Sequence, residues 1–407
     1  MNRITRILLI CLTLGGSGAF AQDFSISIES RMGWWLQSED LLPLPLGFEG
    51  RVGGKVGQGE APAAQYSASL RAAYDPDSAE TRVGLGEAWV RSFLGPLDLT
   101  IGNQLVAWGP MDAFNPIDAV NPKDLSLPVE AEKKSAPMGR AVFNGQGFNA
   151  DFVLLPFWTA SDLPAARWRG ASAFPPPGVV IDSLATVDAR PERSWDNAQF
   201  GGRFQATLDW LQGFDLGLTF FRSRLSVPTP TLSLLPTGTA GHYEAIATLS
   251  YDRYSLAGLD AVLAMDGGIL LKAEAVYKVL GDSPWLAPET GLGMAEGVAG
   301  LEFTLGQATI AGEFALDWAK GRADQGDSYA ETMALMASLK PGSRWSLKAA
   351  AIIDSDWSGM VSPQASYVVA DGLSAELKAF AFFGEPSTRY GAWKDNDLAE
   401  ASLKYSF

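Results

Sequence analysis

The 407-residue sequence has one cysteine and one histidine. Cys11 lies in the N-terminal apolar run and no cysteine follows it. That excludes a disulfide framework, a cysteine nucleophile and a thiolate metal site. His242 alone cannot make a histidine-rich metal site, and nothing in the sequence asks for a cofactor. Long hydrophobic runs are also missing: past the leader no stretch reaches the ~18 consecutive apolar residues of a membrane helix. Positive charge is scarce, with 31 Lys and Arg against 46 Asp and Glu and a net charge of −15. That balance disfavours nucleic acid as a partner. No linker, low-complexity tract or shift in composition marks a domain boundary.

What is present begins with a secretory leader. Arg3 and Arg6 form its basic start, Ile7 to Leu14 its apolar core, and Ala19-Phe20-Ala21 an A-x-A site. Cleavage is expected after Ala21, leaving residues 22–407 as a single domain. Losing Arg3 and Arg6 takes the charge from −15 to −17. The early position of Cys11, with no small residues before it, argues against a lipoprotein site.

The remainder alternates. In the last stretch Leu398, Glu400, Ser402, Lys404 and Ser406 interleave with Ala399, Ala401, Leu403, Tyr405 and Phe407. Period-two alternation is a strand with unlike environments on its faces. The pattern recurs in Phe24 to Trp35, Gly47 to Val56, Gln65 to Tyr74, Leu97 to Trp108, Phe148 to Leu154, Gln199 to Trp210 and Leu216 to Phe220. It continues at regular spacing from Leu271 to Ala379. Thr81 to Phe93 is less regular, because Glu87 falls in phase with Val83, Leu85 and Trp89; a bulge or a rim position is expected there. His242 to Met265 keeps one phase for longer than a membrane strand needs. It either rises above the bilayer or breaks near Asp252-Arg253.

Short turns lie at Gly95-Pro96, Asn144 to Gly147, Gln212-Gly213, Asp266 to Gly268, Gly306, Pro341 to Ser343 and Asp371-Gly372. Longer polar connections separate them, including loops at 109–136, 159–197 (with Pro175-Pro176-Pro177) and 226–241. Counting His242 to Met265 as one strand keeps short and long alternating from end to end. The expected fold is all-β: a transmembrane antiparallel up-and-down β-barrel of about 18 strands (16 or 14 as alternatives), both termini periplasmic.

A soluble sheet protein also alternates. Here the apolar rows end in aromatics (Trp34, Trp210, Trp318, Trp345, Tyr367, Tyr405), as at a bilayer interface, and the opposite rows carry charge in nearly every strand. In lipid such strands can span only as a closed barrel, because every backbone group must be paired internally.

The terminal Tyr405-Ser406-Phe407 resembles the C-terminal aromatic signal read by the outer-membrane assembly machinery of Gram-negative bacteria. Gly102-Asn103-Gln104-Leu105-Val106-Ala107-Trp108-Gly109, followed by Asn121-Pro122-Lys123-Asp124-Leu125, is similar to a poorly characterised family of outer-membrane porin-like proteins. The resemblance implies a barrel in the cell outer membrane and a conduit. Its partners would be membrane lipid and lipopolysaccharide, the assembly machinery through Phe407, and a small-solute cargo.

The candidate constriction is the loop 109–136. Asn115-Pro116 and Asn121-Pro122 impose turns there, and Asp112, Asp118 and Asp124 mix with Lys123. Such a loop either folds into the lumen, where rings of charge set selectivity, or caps the surface. Arg71, Arg203, Glu274 and Glu313 join the candidates on the wall; most wall charges would pair across strands and brace it. Acids outnumber bases in the inferred lumen rows, predicting a mild preference for cations, lost when Asp112, Asp118 and Asp124 are neutralised. The expected function is passive diffusion of small polar solutes through a monomer or trimer. The alternatives are a surface receptor or adhesin built on the loops 159–197 and 226–241, and a conduit for hydrophobic cargo along Leu41 to Phe48 and Leu154 to Trp158. An enzyme is not expected: His242 has Ser250 and Asp252 near in sequence, but no spacing supports a triad, and a solvated loop histidine accounts for it.

Overall fold

A strand that is apolar on one side and polar on the other must find lipid or a core for the first and water for the second, and eighteen such strands here close on themselves. The computed structural model describes residues 20–36, 41–43, 46–56, 63–75, 80–126, 128–164, 179–208, 213–281, 293–320 and 327–407. The barrel strands are β1 (Phe20–Trp35), β2 (Leu46–Val56), β3 (Ala64–Asp75), β4 (Glu80–Leu94), β5 (Leu97–Gln104) and β6 (Ala136–Asn144). They continue as β7 (Phe148–Leu155), β8 (Gln199–Leu208), β9 (Phe214–Arg224), β10 (Arg253–Met265), β11 (Ile269–Leu280) and β12 (Gly293–Leu305). The last six are β13 (Ala308–Ala319), β14 (Ser328–Leu339), β15 (Trp345–Asp354), β16 (Gly359–Ala370), β17 (Leu373–Phe383) and β18 (Leu398–Ser406). Each pairs antiparallel with the next, and β18 closes on β1 from Ser27↔Ser406 to Trp35↔Leu398. Closure removes every edge, which is what hydrocarbon requires.

The rows separate as the alternation requires. Ile101, Val83, Leu377, Leu259 and Phe152 stand exposed on the outer surface, the face that lipid covers. At the short-turn end this belt finishes in aromatics: Trp345 lies 4.6 Å from Tyr367 between ring centres, Tyr405 5.5 Å from Phe407, and Phe148 bridges Phe143 and Phe204. Trp34 and Trp318 mark the opposite rim. The start of β1 and the end of β18 lie on the short-turn side.

Glu87 marks a bulge. The β3–β4 register passes from Ala68↔Ala88 to Leu70↔Leu85, so one extra residue of β4 stands opposite Ser69 and the faces exchange beyond it. Trp89 therefore pairs with Ser67 in the lumenal row, not with the outward row of Val83 and Leu85.

Three expectations change in detail, and one open choice, over His242 to Met265, is resolved. The strand expected over Leu97 to Trp108 stops at Gln104, where the chain leaves the wall. The long His242 to Met265 stretch breaks at Tyr251-Asp252, so only Arg253–Met265 belongs to the barrel. The loops 159–197 and 226–241 are not wholly irregular: Val180–Asp188 runs parallel to His242–Ser250, and Thr229–Pro236 pairs with it antiparallel. A parallel pair needs a long crossover, and β8 and β9 supply it. The alternation of loop lengths also has exceptions, with 355–358 short on the long-loop side and 57–63 longer on the other. Residues 1–19, Pro175-Pro176-Pro177, Asp209-Trp210 and Gln212 lie outside the described residues.

Candidate functional site

The connection from β5 to β6 turns into the barrel and is bound to its inner wall on two sides. Its first part is apolar. Val106, Trp108, Ile117 and Val120 pack on Val153, Leu155, Phe221, Leu256 and Val276, which face inward from β7, β9, β10 and β11. Trp108 meets Phe221 edge-on, with ring centres 6.1 Å apart and planes at 88°. Its indole N–H donates to Asp151 Oδ2 at 2.9 Å, and Arg140 closes on both oxygens of the same carboxylate at 2.9 and 2.7 Å. These inward residues make a core inside the barrel, so this sector of the lumen is filled.

Two asparagines supply the turns that Pro116 and Pro122 begin. Asn115 Nδ2 donates to the carbonyls of Trp108 and Met111 at 3.0 and 3.2 Å, and its Oδ1 accepts from Asp118 N at 3.0 Å. Asn121 Oδ1 accepts from Val106 N at 2.8 Å, while its Nδ2 donates to the carbonyls of Gln104 and Lys134 at 2.9 Å each. Each amide thus replaces backbone partners that the chain gave up on leaving the sheet. Gly109 has a φ of 82°, and a Cβ there would run into the Glu274 carboxylate and the Asn115 amide. Only glycine makes that passage.

Wall carboxylates hold the first lobe. Glu313 of β13 accepts the backbone N–H groups of Asp112, Ala113 and Phe114 at 2.8, 3.0 and 2.9 Å. Glu274 of β11 accepts Met111 N at 3.1 Å and, more weakly, Ile117 N at 3.4 Å. Both are 3% exposed. A second lobe is a hairpin, Lys123–Asp124 with Glu132–Lys133, whose tip carries Glu130 across to the far wall. There Glu130 pairs with Arg31 of β1 and, at 2.7 Å, with Lys378 of β17. Burial works against the charge of Glu130, but the two cations outweigh it and hold its carboxyl below the usual glutamate value. Val129 packs beside it on a cluster of Phe380, Phe382 and Leu398.

The predicted residues take distinct places. Asp112 lies 2.7 Å from Lys272, Asp118 pairs with Lys133, and Asp124 Oδ1 accepts Ser126 N at 2.9 Å. Glu274 and Glu313 moor the loop. Arg203 is bound to Asp260 at 2.7 Å, and Arg71 stands 3.4 Å from Glu49. Lys123 lines a cavity of ≈ 310 Å³ between the loop and the tops of β7 to β10, with Asn115, Ser161, Gln199 and Tyr254. Sequence reasoning did not single out Trp108, Asn121, Arg31, Lys378 and Glu130 as a framework. The apolar turn of the inward rows, Val153 and Leu155 after Asn149 and Asp151, was the available signal that something dry would lie against them.

His242 sits outside the lumen, with Nδ1 2.8 Å from Asp182 Oδ1; Thr237 Oγ1 donates to the other Asp182 oxygen at 3.1 Å. Ser250 is at the opposite end of the His242–Ser250 strand, roughly 26 Å away at ~3.3 Å per residue, and Asp252 lies beyond it. A His242→Ala protein is expected to keep the wild-type heat-dependent shift in gel mobility. A change would assign the pair a role that its exposed position does not suggest.

The sequence model of a family described as "Protein of unknown function (DUF1302)" matches residues 52–326. No curated protein matches the sequence. Among solved structures the chain is similar to OccK3 (OpdO) of Pseudomonas aeruginosa, at 11% identity and a TM-score of 0.54, covering 95% of each chain. It is also similar to OccAB1 of Acinetobacter baumannii, at 7% identity and a TM-score of 0.54, covering 95% of this chain and 96% of that one. At such identities the likeness is one of fold.

Proposed function

The chain belongs to the family described as protein of unknown function (DUF1302), and from that premise we propose that it is a porin-like channel of the cell outer membrane for passive diffusion of small polar solutes. In this reading the precursor is cleaved after Ala21, Phe407 presents the assembly signal, and the short-turn side is periplasmic. The observation that carries the proposal is the loop between β5 and β6. It enters the lumen and is moored at Glu313 and Glu274 on one wall and at Arg31 and Lys378 on the other. A loop so anchored crosses the lumen and narrows a pore. Purified protein folded in detergent is expected to give discrete conductance steps in planar bilayers. Folded protein that inserts and passes no current would overturn the reading.

A second reading rests on the sheet formed by Val180–Asp188, His242–Ser250 and Thr229–Pro236. It is built from the connections 156–198 and 225–252 and would serve a surface receptor. Ligand binding that survives blockage of the lumen and is lost on removing residues 229–250 would favour it.

A further inference from the structure

The ion pairs inside the barrel fall into two classes. Arg31–Glu400, Arg140–Asp151, Arg203–Asp260, Lys272–Glu302 and Lys378–Glu376 close to between 2.6 and 2.8 Å. The pairs on β2 to β4 stay open: Arg51 and Arg71 each stand 3.4 Å from Glu49, and Arg51 lies 3.7 Å from Glu87. The side chains of Arg51 and Arg71 are 45% and 48% exposed. Two guanidinium groups share one carboxylate, Arg51 Nη2 through a long hydrogen bond of 3.4 Å to Glu49 Oε1 and Arg71 at 3.4 Å from the other oxygen.

The register extends this into a strip. Ala73↔Arg82, Glu49↔Arg71, Arg51↔Ser69 and the Lys55↔Gln65↔Arg91 row run in order from the long-loop end to the short-turn end. Arg82 stands at the long-loop end next to Asp75↔Glu80 of the same row; below it, among the described lumenal residues of β2 to β4, four cations (Arg51, Lys55, Arg71, Arg91) meet two carboxylates, Glu49 and Glu87. Gly47, Gly53, Ser67 and Gly84 add almost no bulk around Arg51 and Arg71, and the one large side chain of the strip, Trp89, lies beyond them with Arg91 over its ring at 5.2 Å. The loop's two anchors bear on β11 and β13 and on β1 and β17, so neither lies on this wall.

Exposed, loosely held pairs contribute little to stability, and their partners exchange readily with solution. A guanidinium fork is matched to the two oxygens of a carboxylate. We propose that this strip is an anion-binding path, in which a small carboxylate-bearing solute displaces Glu49 from Arg51 and Arg71 and is handed along the wall. The proposal rests on the channel reading above and gives it a substrate class. It also reverses the cation preference that the bare count of acids and bases predicts, because most acids of the other walls are already paired or hold the loop.

The test uses the full chain folded in detergent. In planar bilayers under a KCl gradient, the reversal potential should show a preference for chloride, and Arg51→Gln with Arg71→Gln should lower the chloride-to-potassium ratio by about threefold or more. Calorimetric titration with succinate should show binding that the double variant weakens by about tenfold. Glu49→Gln should strengthen it, because the internal competitor is gone. Arg51→Lys with Arg71→Lys should keep the chloride preference and lose succinate affinity, since the charge stays and the fork does not. A cation-selective wild type, or a Glu49→Gln protein that binds succinate more weakly, overturns the proposal and leaves the channel reading standing. Succinate binding in this order without any current would leave the site and remove the channel.

Discussion

Replacing Glu313 with alanine should open the pore, raising single-channel conductance by about twofold or more and adding flicker to a steady trace. The Glu313 carboxylate satisfies three consecutive loop N–H groups, those of Asp112, Ala113 and Phe114. Each donor left unpaired in a buried site costs about 1–3 kcal/mol, so together they exceed what the local packing of Met111 on Val298 and Ala315 can hold. Segment 112–114 then leaves the wall to find water. Glu274 still holds Met111 N, so the lobe swings out and does not melt. Glu313→Gln keeps a single carbonyl acceptor and should give an intermediate conductance. Equal conductance in all three proteins would mean that the lobe does not narrow the path.

The barrel was readable because its causes are local. Period-two alternation decides which side of each strand meets lipid, and turn chemistry decides where strands end. The break at Asp252-Arg253 and the irregularity at Glu87 were visible for the same reason, since a shift of one residue changes face. What stayed hidden depends on residues far apart in sequence. The alternation of β5 runs on through Val106 and Trp108, and nothing local says that Trp108 turns inward to meet Asp151 and Phe221. Val180–Asp188 is short and weakly patterned, and its partner His242–Ser250 lies beyond two barrel strands. Glu274 and Glu313 are ordinary lumenal acids until the loop's N–H groups are seen against them. Candidate pore residues on the wall thus divide into those that hold the loop (Glu274, Glu313), Arg203, which is paired within the wall to Asp260, and Arg71, which faces solvent.

The far anchor should respond to acid in a predictable direction. Glu130 links the hairpin tip to Arg31 and Lys378, and those cations keep its carboxyl below the ordinary value in spite of burial. A carboxyl depressed in the folded state stabilises the latched tip at every pH above its unfolded value, and the stabilisation fades as pH falls through the folded value. The tip should therefore stay latched as pH passes the ordinary glutamate range near ~4.3 and release only below it. Arg31 keeps Glu400 at 2.6 Å and Lys378 keeps Glu376 at 2.8 Å when Glu130 is removed. Glu130→Ala accordingly costs about 1–3 kcal/mol and not the larger penalty of a stranded buried charge. Single-channel recordings should show a wild type that stays quiet through the ordinary glutamate range and turns noisy only below it, beside a Glu130→Ala protein that is noisy throughout. Matching acid onsets in the two proteins would place the latch on some group other than Glu130.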